Sequence, residues 1–224
     1  MTGIVLQARM GSTRLPGKIM KMLSGQPMLG HIIDRLKSVK NADVVIVATS
    51  TKAQDDVVAA FAQHKGAAFF RGDELDVLDR YYQAALSFRL QTIVRATADN
   101  PFLDPEEIER LIEFHQTIRG GYTSALNQLP IGVGCECFSL DALRRSWEEG
   151  HLPHHREHVD EYSIENPLLF RGCELLVPAE KRAPALRLTV DTPEDFEKAT
   201  AIYATLYRSG RHIATSEIIA LCAS

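Results

Sequence analysis

Short apolar runs alternate with amphipathic stretches through the first half of the chain. Ile4 to Leu6, Val44 to Ala48, Ala67 to Phe70 and Thr92 to Ala96 read as buried strands. Between them the apolar spacing becomes helical. After Gln26-Pro27, the side chains of Met28, Ile32, Leu36 and Val39 share one face. Thr49-Ser50-Thr51 supplies turn and cap chemistry before a helix from Asp55 to His64, and Arg71-Gly72-Asp73 turns the chain into a helix from about Leu75 to Phe88. Asp104-Pro105-Glu106-Glu107 combines a cap, a first-turn proline and acids, and opens a helix that buries Ile108, Leu111 and Ile112. Strand-then-helix units in this succession predict an α/β fold, a mainly parallel sheet with helices on both faces. Ligands of such sheets bind beyond the carboxyl ends of the strands.

From Tyr122 the pattern loosens. Ile131 to Phe138 reads as an extended strand, Leu140 to Glu149 as a helix, and His151 to Asn166 as polar and partly helical. Leu168 to Val177 and Leu186 to Val190 are further strand candidates. Thr192-Pro193-Glu194-Asp195 repeats the capped, acidic helix start and leads to about Arg208, and Ser216 caps a last short helix. The 224 residues, 45% hydrophobic and 24% charged, suit one domain over residues 1–224 with a small appended lobe.

The net charge of −4 argues against a general nucleic-acid binder. No apolar run approaches the roughly 20 residues a bilayer span needs, and no basic, apolar leader precedes the first strand. The cysteines Cys135, Cys137, Cys173 and Cys222 lack zinc-ligand spacing; Cys135 and Cys137 read as core residues. A cytoplasmic protein without a membrane partner is expected.

Against this mildly acidic background one stretch is locally cationic. Gln7-Ala8-Arg9-Met10-Gly11-Ser12-Thr13-Arg14-Leu15-Pro16-Gly17-Lys18 follows the first strand and mixes turn residues with three positive charges. Glycines let backbone N–H groups approach a ligand, and the cations suit polyphosphate. It is neither a P-loop, because five residues separate Gly11 from Gly17 and Ile19 follows Lys18, nor a G-x-G-x-x-G fingerprint. A basic surface loop is the plainer alternative. Two acids follow strands in the same manner. Asp99, in Ala98-Asp99-Asn100-Pro101, and Asp191, in Val190-Asp191-Thr192-Pro193, each read equally as a magnesium ligand or as a turn and cap residue.

The stretch Gln7–Lys18 resembles the signature loop of the sugar cytidylyltransferases. That family includes CMP-Kdo synthetase, the acylneuraminate cytidylyltransferases and the spore-coat polysaccharide biosynthesis proteins, and the likeness is closest to the last group. Asp99-Asn100-Pro101 resembles the family's Asp-Glu-Pro segment, and Asp191-Thr192-Pro193-Glu194-Asp195 its Asp-Thr-Pro-Glu-Asp segment. The three matches come in order over residues 4 to 195. The resemblance implies a Rossmann-like nucleotide-diphosphosugar transferase fold of GT-A type, with residues 120–185 as an acceptor-side, lid and dimerisation lobe. It implies that Ala8, Arg9, Gly11, Ser12, Arg14 and Lys18 bind CTP, that Asp99 and Asp191 hold Mg²⁺, and that Arg9, Lys18 and Asp99 are catalytic. Gly72 to Arg80 resembles a segment near nucleotide and acceptor, so Arg71, Arg80 and Asn100 are acceptor-side candidates. The implied reaction is attack of a hydroxyl, or of a phosphate or phosphonate oxygen, of a sugar or sugar-acid acceptor on the α-phosphorus with loss of pyrophosphate, for surface polysaccharide, in a homodimer. Asn100 departs from the acid usual in the Kdo branch, which leaves the acceptor open.

Two other activities are weighed. A glycosyltransferase using a nucleotide sugar usually carries Asp-x-Asp at the strand end, where this chain has Asp99-Asn100-Pro101. A non-catalytic nucleotide-binding protein has no need of Lys18, Asp99 and Asp191 together. His154-His155-Arg156-Glu157-His158 matches H-x-x-E-H formally, but nothing else supports peptide hydrolysis; the resemblance places it in the lid region.

Overall fold

In the computed structural model, which describes residues 1–223, strand β1 (Thr2–Gln7) enters a long loop closed by a turn of 3₁₀ helix. Ser224, the last residue of the expected domain, lies outside the described residues. A two-stranded ribbon, β2 (Met22–Leu23) and β3 (Gln26–Pro27), leads into α1 (Met28–Lys37). Then follow β4 (Val44–Ser50), α2 (Asp56–His64), β5 (Ala68–Gly72), α3 (Val77–Ser87), β6 (Thr92–Thr97) and α4 (Pro105–Ile118). The second half adds β7 (Tyr122–Ser124), β8 (Glu136–Ser139), α5 (Leu140–Glu149), α6 (Pro153–Glu157), α7 (Glu161–Glu165), α8 (Pro167–Phe170), β9 (Cys173–Glu174), α9 (Pro193–Leu206) and α10 (Thr215–Ala223).

The main sheet has the order β5-β4-β1-β6-β8-β7-β9. Strands β5, β4, β1 and β6 are parallel, and β8 runs antiparallel to both of its neighbours. Gln7 lies level with Ala48 on one side and Thr97 on the other, so the carboxyl ends of β1, β4 and β6 open at one edge. Side-chain alternation divides the core between two faces. Ile4, Leu6 and Val47 pack against Ile32, Leu36, Leu111 and Ile202, whereas Val5 and Ile46 pack against Leu78, Tyr81 and Leu143. Each fully buried leucine or isoleucine contributes about 1.5–3 kcal/mol. The α/β fold with a mostly parallel sheet and helices on both faces is therefore as expected.

The second half departs from the expectation in detail. The extended run Ile131–Phe138 pairs as a strand only from Glu136, because Gly132 adopts φ +93 and Val133 N–H donates to Pro130 O at 3.1 Å, making a turn. Leu168–Val177 is not one strand. Pro167 starts a helical turn through Phe170, and only Cys173–Glu174 joins the sheet. Leu186–Val190 forms no ladder beyond a single bridge between Arg187 and Ile131. The short strand β7 has no counterpart in the sequence reading. Among the described residues no helix is long and apolar enough to cross a membrane.

Candidate active site

The loop after β1 is pinned from below. Leu15 and Ile19 are buried, while Met10 N–H donates to Asp55 Oδ1 at 2.7 Å and Gly17 N–H to Met10 O at 3.3 Å. Asp55 is fully buried and also accepts from Ser50 Oγ, so the end of β4 holds the loop in place. Gly17 takes φ +64, a conformation that glycine reaches without a Cβ penalty. The loop then turns Lys18 across the carboxyl edge of the sheet.

Lys18 is where distant segments meet. Its Nζ donates to Val190 O at 2.7 Å and Asp191 Oδ1 at 3.0 Å, and lies 3.9 Å from Asp99 Oδ2. Val190 N–H donates to Asp99 O at 2.8 Å, which ties the two acid-bearing segments directly together. Asp99 Oδ1 accepts from Thr97 Oγ1 at 2.6 Å, and Thr97 in turn accepts from Asn100 Nδ2 at 2.9 Å. Asp191 also receives Arg14 at 3.2 Å and Arg187 at 2.5 Å. Partial burial pushes the Asp191 carboxyl up, but Lys18, Arg14 and Arg187 outweigh this and hold it below the usual carboxylate range.

A cavity of about 1050 Å³ opens over this cluster, lined by Ala8, Arg9, Gly11, Ser12, Arg14, Lys18, Asp99 and Asp191. Every nucleotide- and metal-site residue expected from the sequence thus faces one space. The opposite wall comes from the turn before α3 and from α6, where Arg156 grips Asp76 at 2.6 Å. Arg95 stands between Thr97 and the buried acid Glu136, 2.7 Å from it, with Asp160 at 3.5 Å. Burial, with the neighbouring Asp160 carboxylate, pushes the Glu136 carboxyl up to about 8 against the lowering pull of Arg95.

The three acceptor-side candidates separate. Asn100 lines an adjoining cavity of about 370 Å³ together with Asp99, Arg95, Gly132 and Thr189, and its Oδ1 is buried without a partner among the described residues. Arg71 lies outside both cavities, bound to Ser50 O, Lys52 O and Asp56. Arg80 is 1% exposed beneath the turn that lines the main cavity, donating to Asp73 O and Glu74 O. Arg95 and Glu136 were not singled out from the sequence, although a charge inside each of the apolar runs Ile93–Ala96 and Cys135–Phe138 was a visible signal.

Asp99 and Asp191 fit a Mg²⁺ ion that takes one or two protein carboxylates and completes its shell with phosphate oxygens and water. No third carboxylate, histidine or cysteine joins them as a closed cage among the described residues. Such a donor set suits an ion that arrives with a polyphosphate.

The family model for cytidylyltransferases matches residues 3–213. The chain is 36% identical over 224 residues to the spore coat polysaccharide biosynthesis protein SpsF of Bacillus subtilis, covering 97% of this chain and 92% of that one. It is 32% identical to a 3-deoxy-manno-octulosonate cytidylyltransferase of Anaeromyxobacter sp., covering 90% and 97%. A cytidylyltransferase structure from Leptospira borgpetersenii superposes with a TM-score of 0.91 at 31% identity, covering 99% and 93%. Cationic loop, paired strand-end acids and sheet order therefore belong together: the chain is a nucleotidyltransferase of the cytidylyltransferase family.

Proposed function

We propose that this enzyme activates a sugar by transferring CMP from CTP to it, releasing pyrophosphate, with Mg²⁺ held by Asp99 and Asp191. The observation that carries the reading is the junction at Lys18, where a phosphate-type loop meets two strand-end carboxylates at the mouth of one cavity. When bound, the ion would offset negative charge on the nucleotide phosphates and raise the electrophilicity of the α-phosphorus. The remaining work falls to side chains. Arg9, Arg14 and Lys18 are fixed cations for the triphosphate, and their charge is worth most as the bond from the α-phosphorus to its bridging oxygen breaks and pyrophosphate departs. Lys18, already held at Asp191, exchanges one protein acceptor for a phosphate oxygen without having to be ordered afresh. Ala8, Gly11 and Ser12 present backbone and hydroxyl groups to the nucleotide.

The acceptor reading rests on the smaller cavity. It shares Thr97, Asp99 and Arg95 with the nucleotide space and offers the unpartnered Asn100 Oδ1 to a sugar hydroxyl. Relatives named as a 3-deoxy-manno-octulosonate cytidylyltransferase and as a spore coat polysaccharide biosynthesis protein support a sugar or sugar acid there.

Pyrophosphate release from CTP, with a panel of sugar acids and neutral sugars, tests the reading. Turnover should need Mg²⁺ and prefer CTP over UTP, ATP and GTP, and Asp99→Asn should abolish it while circular dichroism shows the fold intact. Turnover with a nucleotide sugar alone, or an unchanged rate in Asp99→Asn, would refute it.

A further inference from the structure

The densest set of potential metal ligands among the described residues lies away from the nucleotide cavity, between α6 and α7. His154 and His155 are neighbours on α6, and neighbours on a helix point about 100° apart. Yet both reach one carboxylate: His154 Nε2 donates to Glu165 Oε1 at 2.8 Å and His155 Nε2 to Glu165 Oε2 at 2.7 Å. The two rings meet edge to face with centroids 4.3 Å apart. His155 is buried against Tyr162, whereas His154 and Glu165 are each 44% exposed, which opens the cluster to solvent.

We propose that His154, His155 and Glu165 form a site for a late first-row divalent cation, Zn²⁺ being the natural occupant, with one coordination position left to water. Two imidazoles and a carboxylate are a three-ligand set that zinc takes readily and that magnesium does not favour. Tetrahedral bonds of about 2.1 Å place donor atoms about 3.4 Å apart. The two hydrogen-bonded pairs are shorter than that and all three donor atoms lie within 4.8 Å of one another, so small rotations of exposed side chains reach the geometry.

Entry of the ion moves each neutral imidazole proton from Nε2 to Nδ1. Each imidazole then exchanges its hydrogen bond to Glu165 for a bond to the ion, and His155 also gives up the long bond that Nδ1 accepts from Leu152 N–H, at 3.3 Å. The H-x-x-E-H motif thus resolves differently from its spacing. Helix α6 ends at Glu157, and Glu157 and His158 line the nucleotide cavity instead. An ion joining α6 to α7 would brace the wall that carries Arg156 and His158 without touching the nucleotide, and its existence is independent of the reaction proposed above.

The test is equilibrium dialysis of the full chain against Zn²⁺ alone, with bound metal counted for wild type, Asp99→Asn, His154→Ala and Glu165→Gln. Wild type and Asp99→Asn should each retain one ion. His154→Ala and Glu165→Gln should weaken retention beyond the roughly 100-fold that loss of an outer-shell partner costs. Cobalt(II) in place of zinc should show four-coordinate visible bands that vanish in the same two variants. Both substituted side chains are half exposed, and metal-free melting curves check that the variants fold. No retained zinc in wild type overturns the proposal, as does retention that survives His154→Ala and Glu165→Gln or is lost in Asp99→Asn.

Discussion

His115 on α4 is 3% exposed, and its Nδ1 sits 2.9 Å from Thr123 Oγ1 on β7. Burial lowers its pKa from the ordinary 6.5 to about 4. Between those values the unfolded chain takes up a proton that the folded chain refuses. Stability is therefore complete above about pH 6.5 and falls as the pH drops toward 4, by about 2–3 kcal/mol for this group. His31 and His212 are lowered by burial in the same direction, so only a difference isolates His115. Urea unfolding of wild type and His115→Gln across this window should show a flatter pH dependence in the variant. Equal slopes would mean that His115 is not the group responsible. Single residues were unevenly legible. Arg9, Arg14 and Lys18 stood out because a cationic, glycine-containing loop after a strand suits phosphate, whereas Asp99 and Asp191 read equally as cap residues until the family resemblance tipped them. Arg187 and Asp55, which hold Asp191 and the loop, did not, because their partners lie in space and no local pattern marks them.

Among the elements, α9 does more than pack. Thr192 Oγ1 accepts from Asp195 N–H at 3.2 Å, while Asp195 Oδ2 accepts from the N–H groups of Thr192 at 3.0 Å and of Asp191 at 2.9 Å. The capping box that starts the helix also fixes the backbone of Asp191, the acid proposed to hold Mg²⁺. Thr192→Ala should cost about 1 kcal/mol in stability. It should also lower CMP-transfer turnover through a loosened Asp191, and urea midpoints compared with initial rates would separate the two effects. A stability loss with full turnover would confine the box to a structural role. This cap was readable from Thr192-Pro193-Glu194-Asp195, as was the one at Asp104, because capping chemistry is local. The stretch 167–177 was not readable. An apolar run with a proline at its head suits a helical turn or a strand, and tertiary contacts chose the turn for α8, where Phe170 is buried and Leu168 is left outside.

For the molecule as a whole, the parallel half of the sheet followed from alternating apolar runs and helical spacing, because its central strands β1, β4 and β6 are largely buried on both faces. The lobe over residues 120–185 was legible only as a departure from that pattern, and it exposes several large apolar side chains. Leu152, Ile164, Leu169 and Leu176 are about half to two-thirds exposed, and Leu168 is 93% exposed. We propose that this group of side chains, with Leu168 the most exposed of them, is covered by a second copy of the chain. The two-residue strand β9 ends the sheet in the same lobe and has no outer neighbour among the described residues. A homodimer through this lobe accounts for both features, and it would set the walls formed by α6 near the join. Light scattering at micromolar concentration should give twice the 24.9 kDa chain mass. Leu168→Asp, at a position where a charge meets no core contact in the monomer, should shift the protein to a monomer with an unchanged far-ultraviolet spectrum. A monomeric wild type would leave the exposed leucines without a partner copy and end the dimer proposal. A dimer indifferent to Leu168→Asp would move the interface elsewhere.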